Sequence, residues 1–377
     1  MQDSHERALK ALERRGRLRA LSPRAGIDFS SNDYLGLGAS EVLRRAATQA
    51  IERGVSIGAG GSRLLRGNDP EHEALEAEAA AHFGAETALF FGGGFLANTA
   101  IFSTLPDRDD MIVHDALIHA SVRDGMRMSK ADHVAARHND AQSFDDAIAC
   151  WRKASGTGRP WIAVESLYSM DGDRAPLDDL LRVAERHDGV LVVDEAHATG
   201  VLGPDGRGLA AHLEGRHDVI SLHTCGKALG VMGALVLAPV VMRDFLVNRC
   251  RPFIYATAPS PLVAAMVRAA LRLSRDEPER RQELARRVKF VSERLADKTG
   301  FAASGSHIQP IVLGSDTRAT TLATAMQARG FDIRAVRPPS VPEGTARLRI
   351  SLTLNAGEAD VRNMLDTLVE ELASLAP

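Results

Sequence analysis

Residues 190–200 read VLVVDEAHATG. Four apolar residues run without a polar break into Asp194, and the strand is expected over 190–195. A continuous apolar run of about four to eight residues reads as a strand buried on both faces, as in a parallel sheet covered by helices. Similar runs stand at TALFF (87–91), MIVH (111–114), WIAVE (161–165), VISLH (219–223) and MGALVLA (232–238). Longer helix-like stretches separate them, for instance 176–187 behind Pro176. The alternation predicts an α/β domain with a mostly parallel sheet.

Outward from this core the pattern changes. Towards the N-terminus, residues 4–20 read as a short amphipathic helix and 40–53 as a helix stopped by Gly54. A Gly/Ser loop (58–70) and a strongly helical stretch (71–84) follow. Towards the C-terminus, a charged helix-rich stretch spans about 262–299, with weaker strand signals at 308–313, 332–336 and 346–352 and a terminal helix at 357–375. Three regions are therefore expected: an N-terminal segment (1–38) joining a small domain, a large α/β domain (39–270), and a small α+β domain (271–377).

With 46 Lys+Arg against 49 Asp+Glu in 377 residues, the formal charge is 46 − 49 = −3. That excludes a nucleic-acid binder working by bulk positive charge. No apolar run has the roughly 18 residues a membrane helix needs. Cys150, Cys225 and Cys250 are widely spaced and odd in number, which argues for a reducing compartment and against a disulfide framework or structural zinc. The Arg-rich N-terminus contains Asp3, Glu6 and Glu13, against the acid-poor composition of a transit peptide. A cytoplasmic location is expected, and no metal.

Three short patterns fail on context. GVSIG (54–58) has the spacing of a nucleophile elbow, but a helix precedes Ser56 where a strand is required. DEAH (194–197) resembles a helicase motif, yet no phosphate-binding G-x-x-x-x-G-K-[ST] loop exists. GAGG (58–61) lacks the third glycine and preceding strand of a dinucleotide site.

Three other elements carry chemistry when taken in order. FFGGGFLANTA (90–100) runs a strand through three glycines into a helix, and bare N–H groups at a helix start favour a phosphate. A tight turn with no ligand would look the same. Asp194 ends a buried strand with His197 three residues on; capping the next helix is its other reading. Lys227, in SLHTCGKALG (221–230), follows another buried strand between Gly226 and Ala228, where partial desolvation would favour a nucleophilic amine. A lysine reaching out to solvent is its alternative. Together they suit pyridoxal 5'-phosphate (PLP): a lysine for its aldehyde, an acid for its ring nitrogen, an anion site for its phosphate.

The sequence also resembles the α-oxoamine synthases among the fold-type I PLP enzymes. The motifs are DFSSNDYLGL, the H-x-x-LE helix at His72, GGGFLAN, HDALIHAS, HND, ESLYSMDGDRAPL, VVDEAHATGVLGPDGRG, TCGKALG and RPPSVPEGTARLRISL, spread over residues 28–352. The resemblance implies a large, mostly parallel seven-stranded sheet domain and a small C-terminal α+β domain. It implies a decarboxylative condensation of an amino acid with an acyl thioester. SSNDYLGL and RPPSVPEGTARLR point to the branch that joins L-alanine to pimeloyl-CoA or a pimeloyl carrier protein in biotin synthesis. Glycine C-acetyltransferase, 5-aminolevulinate synthase and serine palmitoyltransferase share the chemistry and are the alternatives.

Residue by residue, the resemblance implies that Lys227 forms the internal aldimine and serves as acid and base. Asp194 pairs with the pyridine nitrogen, and His197 and Ser169 reach the ring-oxygen side. His119 stacks on the ring. Gly94, Phe95 and Thr224 hold the phosphate, joined by Thr257 from a second subunit of a homodimer. Arg349 is the candidate for the amino-acid carboxylate, a bidentate task for a guanidinium. Arg337 and Arg19 are further candidates for a substrate carboxylate. Strand alternation is expected to leave one of Arg347 and Arg349 to solvent. GGGF stands where the family usually has a Ser-rich turn, and the segment before Ile27 is short.

Overall fold

The structure, a computed structural model, describes residues 2–375. It divides into two compact units. The smaller comprises the residues up to Tyr34, Met170–Asp173 and those from Gln282 on; the larger comprises Leu35–Ser169 and Arg174–Arg281.

The chain opens in the smaller unit with α1 (Gln2–Arg14) and β1 (Ile27–Asp28). α1 ends earlier than the composition suggests, because Gly16 turns into the left-handed region at φ 64° and bonds back to Glu13. The larger unit begins with α2 (Glu41–Glu52) and α3 (Pro70–Phe83). Ser40 caps α2 by accepting from the N–H of Leu43, and α3 starts on an Asp69–His72 capping box and stops at left-handed Gly84.

The sheet and its helices follow: β2 (Thr87–Phe91), α4 (Gly94–Thr104), β3 (Met111–Asp115), α5 (Ala120–Met128), β4 (Asp132–Ala136), α6 (Ala141–Lys153), β5 (Pro160–Glu165), α7 (Leu177–Arg186), β6 (Val190–Asp194), β7 (Val219–Thr224) and β8 (Ala234–Ala238). Then come α8 (Val240–Arg249), α9 (Arg251–Ile254) and α10 (Pro261–Asp276). The seven strands lie in the order β2-β8-β7-β6-β5-β3-β4. Only β8 runs antiparallel to its neighbours. This is the fold-type I architecture that the resemblance implies.

The apolar runs fill two cores by simple alternation. Ile112, Trp161, Ala163, Val190, Val192, Ile220 and Leu222 point to the face covered by α4 and α5. Val113, Ile162, Val164, Leu191, Val193 and Val219 point to the other face, with α6 and α7. Continuing the first set along each strand puts Glu165, Asp194 and Thr224 on the α4/α5 side at the carboxyl ends of β5, β6 and β7. That is where an open α/β sheet gathers its ligand groups.

β4 escaped the reading. Asp132–Ala136 is an edge strand with four of its five residues exposed, so it carries no apolar run. The stretch read as one long helical region is two helices, α10 and α11 (Pro278–Thr299), broken at Glu277–Pro278.

The smaller unit resumes with α11, β9 (Ile308–Gly314), α12 (Asp316–Ala328), β10 (Phe331–Asp332), β11 (Arg334–Val336), β12 (Ala346–Ser351) and α13 (Glu358–Ser374). β11-β12-β9 form an antiparallel sheet, and β1 pairs with β10 in parallel. The expectation that one of Arg347 and Arg349 faces solvent is overturned. Both are buried, at 4% and 7% exposure. Residues two apart on a strand share a face, so alternation places them together, opposite Leu348 and Ile350.

Candidate active site

Asp194 is set by β6 and its buried carboxylate is held from two sides. Oδ1 accepts the N–H of Ala196 (2.8 Å), and Oδ2 accepts Nδ2 of Asn98 on α4 (2.7 Å). Glu165 stands beside it in register on β5. Its Oε2 accepts the Ser169 N–H (3.1 Å), while Oε1 is buried with no hydrogen-bond partner among the described residues. Two carboxylates side by side in a dry place do not both ionise. The better-bonded Asp194 keeps the charge. Burial, and then the Asp194 charge, push the Glu165 carboxyl up to about 8.

The next residue in DEAH has a different task. Glu195 is fully buried and ties the 208–210 segment down, accepting the Leu209 N–H (3.1 Å), the Ala210 N–H and the Ser166 hydroxyl (2.8 Å). Burial raises its carboxyl above the ordinary range.

Lys227 sits in a loop folded back on itself. The N–H of Cys225 bonds Gly233 O (2.9 Å), Val231 N–H bonds Cys225 O (2.9 Å) and Gly230 N–H bonds Lys227 O (2.8 Å). Gly230 is required there: its φ is +67°, and a Cβ would meet the Gly38 nitrogen at 2.5 Å. The half-buried Lys227 puts Nζ 2.7 Å from His197 Nε2. Lys227 is thus turned inward, against the reading in which it reaches out to solvent.

At the start of α4, Gly93 offers no side-chain cap, so the first-turn N–H groups of Gly94 and Phe95 are left for another acceptor. Gly94 runs close to Thr224: a Cβ on it would lie 3.4 Å from Thr224 Oγ1. Phe95 is exposed, and its ring meets that of His119 edge-on at 6.5 Å between centroids. His119 caps α5, its Nδ1 bonded to Ser121 Oγ (2.7 Å). Burial lowers the His119 imidazole below its ordinary range, with Asp194 and Lys227 as its charged neighbours.

The larger unit thus brings together Lys227, Asp194, His197, His119, Ser169, Thr224, Gly94 and Phe95 around the strand ends. Thr257 is exposed in the loop between α9 and α10. That loop is anchored by His72, whose Nε2 meets Pro259 O at 2.7 Å, and by the Ala258 N–H on Gly61 O (2.9 Å). HND proves structural. His138 and the Asn139 N–H both bond Asp115 (2.9 Å each), and Asp140 caps α6.

The arginine candidates belong to the smaller unit. Arg349 donates to Ser351 Oγ (2.6 Å) and to the Tyr34 hydroxyl (3.2 Å), and that hydroxyl donates to Asn32 Oδ1 (3.0 Å). SSNDY is therefore what holds Arg349. Arg347 is paired with Asp171. Arg337 bonds Gly16 O, and Arg19 lines a cavity of about 380 Å³ with Arg15, Arg17 and Pro338.

The reading of the residues passed over Asn98 and Glu165. Asn98 had a signal: it is an amide one turn past Gly94 on a mostly apolar helix, and such a residue needs a buried partner.

The donor set suits PLP. An inward amine, an ionised buried carboxylate and an uncapped helix start beside a hydroxyl lie on one edge of the sheet. The comparisons agree. The family model for class I and II aminotransferases matches residues 24–368. An 8-amino-7-oxononanoate synthase of Anaeromyxobacter sp. (strain K) is 41% identical over 386 residues, covering 98% of this chain and 95% of that protein. Among solved structures, a serine palmitoyltransferase from S. paucimobilis with bound PLP–myriocin aldimine aligns at TM-score 0.89 and 25% identity, covering 99% of this chain and 98% of that one. An 8-amino-7-oxononanoate synthase from Francisella tularensis aligns at TM-score 0.77 and 28% identity, covering 93% and 98%. The chain belongs to the class I and II aminotransferase family, as a PLP-dependent acyltransferase of the 8-amino-7-oxononanoate synthase type.

Proposed function

From that membership we propose that the chain condenses L-alanine with a pimeloyl thioester, on CoA or a carrier protein, to 8-amino-7-oxononanoate, in the cytoplasm. A C–C bond forms between the alanine α-carbon and the thioester carbonyl carbon. The C–S bond breaks and releases free thiol, and the bond to the alanine carboxylate breaks and releases CO2. PLP, when bound, supplies the electron sink for the charge left on the α-carbon.

The observation that carries the reading is the gathering of Lys227, Asp194 and the open start of α4 on one sheet edge. Lys227 would bind the cofactor aldehyde, then take the α-proton and return it, with His197 at 2.7 Å steering its amine. Asp194, held ionised by Asn98 and Ala196, would keep the ring nitrogen protonated. Ser169 and His197 would face the ring-oxygen side, and Gly94, Phe95 and Thr224 the phosphate. His119 would cover the ring and polarise the thioester oxygen. Arg349 would take the amino-acid carboxylate, with Arg337 and Arg19 as candidates for the distal one.

A homodimer would let Thr257 reach the phosphate of the other subunit. Ile57, Leu65, Met232 and Tyr255 are each more than two-thirds exposed, which a second copy would cover. A second reading, with L-serine and a longer acyl chain, is motivated by the backbone agreement with serine palmitoyltransferase, TM-score 0.89 against 0.77.

The test is product mass after incubating the PLP-loaded protein with alanine, glycine or serine and a panel of acyl thioesters. Condensation of alanine with the pimeloyl thioester is expected. Product from serine or glycine alone would move the chain to another branch.

A further inference from the structure

Asn98 lies on α4 and is 2% exposed; Ser121 lies on α5 and is fully buried. The Asn98 Nδ2 is 2.7 Å from Asp194 Oδ2 and 3.0 Å from Ser121 Oγ. An ionised carboxylate only accepts, so the amide must turn its NH2 towards Asp194. That nitrogen has two hydrogens, one for each partner. Ser121 Oγ thereby receives a hydrogen bond and can direct its own proton to its other close group among the described residues, His119 Nδ1, at 2.7 Å. The Ser121 backbone N–H, 3.2 Å from the same ring nitrogen, can only donate as well. Two donors converge on Nδ1, so that nitrogen carries the lone pair and the ring proton sits on Nε2.

We propose that Asn98 is a positioning residue which, with its amide fixed by Asp194, orients the Ser121 hydroxyl towards His119 and so holds that histidine as the Nε2–H tautomer. His119 is then a hydrogen-bond donor towards the reacting carbonyl oxygen, and proton abstraction falls to Lys227 alone. The inference rests on the PLP reading for its catalytic meaning and on the hydrogen-bond chain for its structural content. The chain is held by unusually close packing of α4 on α5. A Cβ at Gly125 would meet Phe102 Cβ at 3.0 Å and Thr99 Cα at 3.1 Å, so glycine is what lets the helices approach.

The experiment reads ring-nitrogen chemical shifts in protein labelled with ¹⁵N-histidine, first without PLP, with His119→Gln to assign the signal. The wild type should show a pyridine-like Nδ1 and a protonated Nε2. Ser121→Ala removes one donor and should shift the tautomer ratio about fivefold, the worth of one hydrogen bond. Asn98→Asp, which keeps the shape and removes the amide donors, should shift it as well, and Ser121→Thr, which keeps the hydroxyl, should restore it. In loaded protein the same variants should lower kcat with little change in KM for the amino acid. A protonated Nδ1 in the wild type, or an unchanged ratio in folded Ser121→Ala and Asn98→Asp, overturns the proposal. Failure of the wild type to develop the visible absorbance of bound PLP would instead overturn the cofactor reading, leaving the tautomer result standing.

Discussion

Residues 223 and 224 are neighbours on β7 and serve two buried polar clusters on opposite faces of the sheet. Thr224 faces the α4/α5 side with Asp194. His223 faces the other, where its Nδ1 meets Thr199 Oγ1 (2.9 Å) and its Nε2 meets Ser221 Oγ (3.0 Å) and Glu214 Oε1 (3.3 Å). Phe83 lies against the ring at 4.0 Å between centroids. By composition the second cluster is the more suggestive, since it contains a serine, a histidine and an acid. Its geometry says otherwise. The Ser221 hydroxyl donates to Glu214 rather than to the histidine, and His223 and Ser221 are fully buried. It is a closed network whose members satisfy one another. The first cluster ends on half-buried groups, Lys227 and His119, which can still meet a ligand. Access separates a reactive cluster from a structural one; residue type does not.

Lys227→Ala is the hardest test of the contrast. It should abolish the visible absorbance of bound PLP and cut turnover by about 10⁴-fold or more, since attachment and proton transfer go together. Retained absorbance with full turnover would show that the open cluster is not the reactive one. Asp194→Ala should come next, costing on the order of a hundredfold in turnover through lost electrostatic support, together with weaker PLP retention. His223→Ala should invert the pattern. Taking the ring away from Glu214 and Thr199, which keep Ser221 and Glu195 O as their other partners, should cost about 2–3 kcal/mol in a urea titration, while kcat of the folded protein stays near wild type. A large loss of kcat at unchanged stability would erase the distinction.

The last test concerns the acid beside Asp194 and is read as a pH dependence of stability rather than as turnover. Glu165 titrates at about 8 when folded, above its ordinary value of 4.5, because burial disfavours its charge. A raised folded value means stability fully present below 4.5 and lost as pH rises towards 8. The slope is at most about 1.4 kcal/mol per pH unit. Glu165→Gln should flatten that decline in the urea midpoint between those limits. An identical pH profile in the variant would mean that Glu165 ionises freely.

Much of this is local and therefore readable in sequence. A strand buried on both faces needs an unbroken apolar run, so all strands of the sheet but one announced themselves. The exception, β4, has only one neighbour and an exposed surface, and its DHVAA carries no such run. The end of α2 was legible at Gly54, which takes a left-handed φ of 81° just past the helix, because such stop signals act within a turn. Asp194, Lys227 and the glycine turn were legible because each sits where a buried strand ends.

The remainder depended on partners distant in the chain. Asp194, Glu195 and Glu165 are three acids at strand ends, and sequence cannot rank them. One is ionised by an amide from α4, one is spent on tying down the 208–210 segment, and one lacks the partners to ionise. Arg347 and Arg349 likewise look interchangeable until Asp171 takes one and Tyr34 with Ser351 the other. The amino-acid order alone determined most of the elements, the mostly parallel character of the sheet and the candidate reactive groups, because backbone preference and burial pattern act over a few residues. The protonation state and orientation of those groups were decided only by the tertiary structure, because they depend on which donors and charges folding brings within about 3 Å.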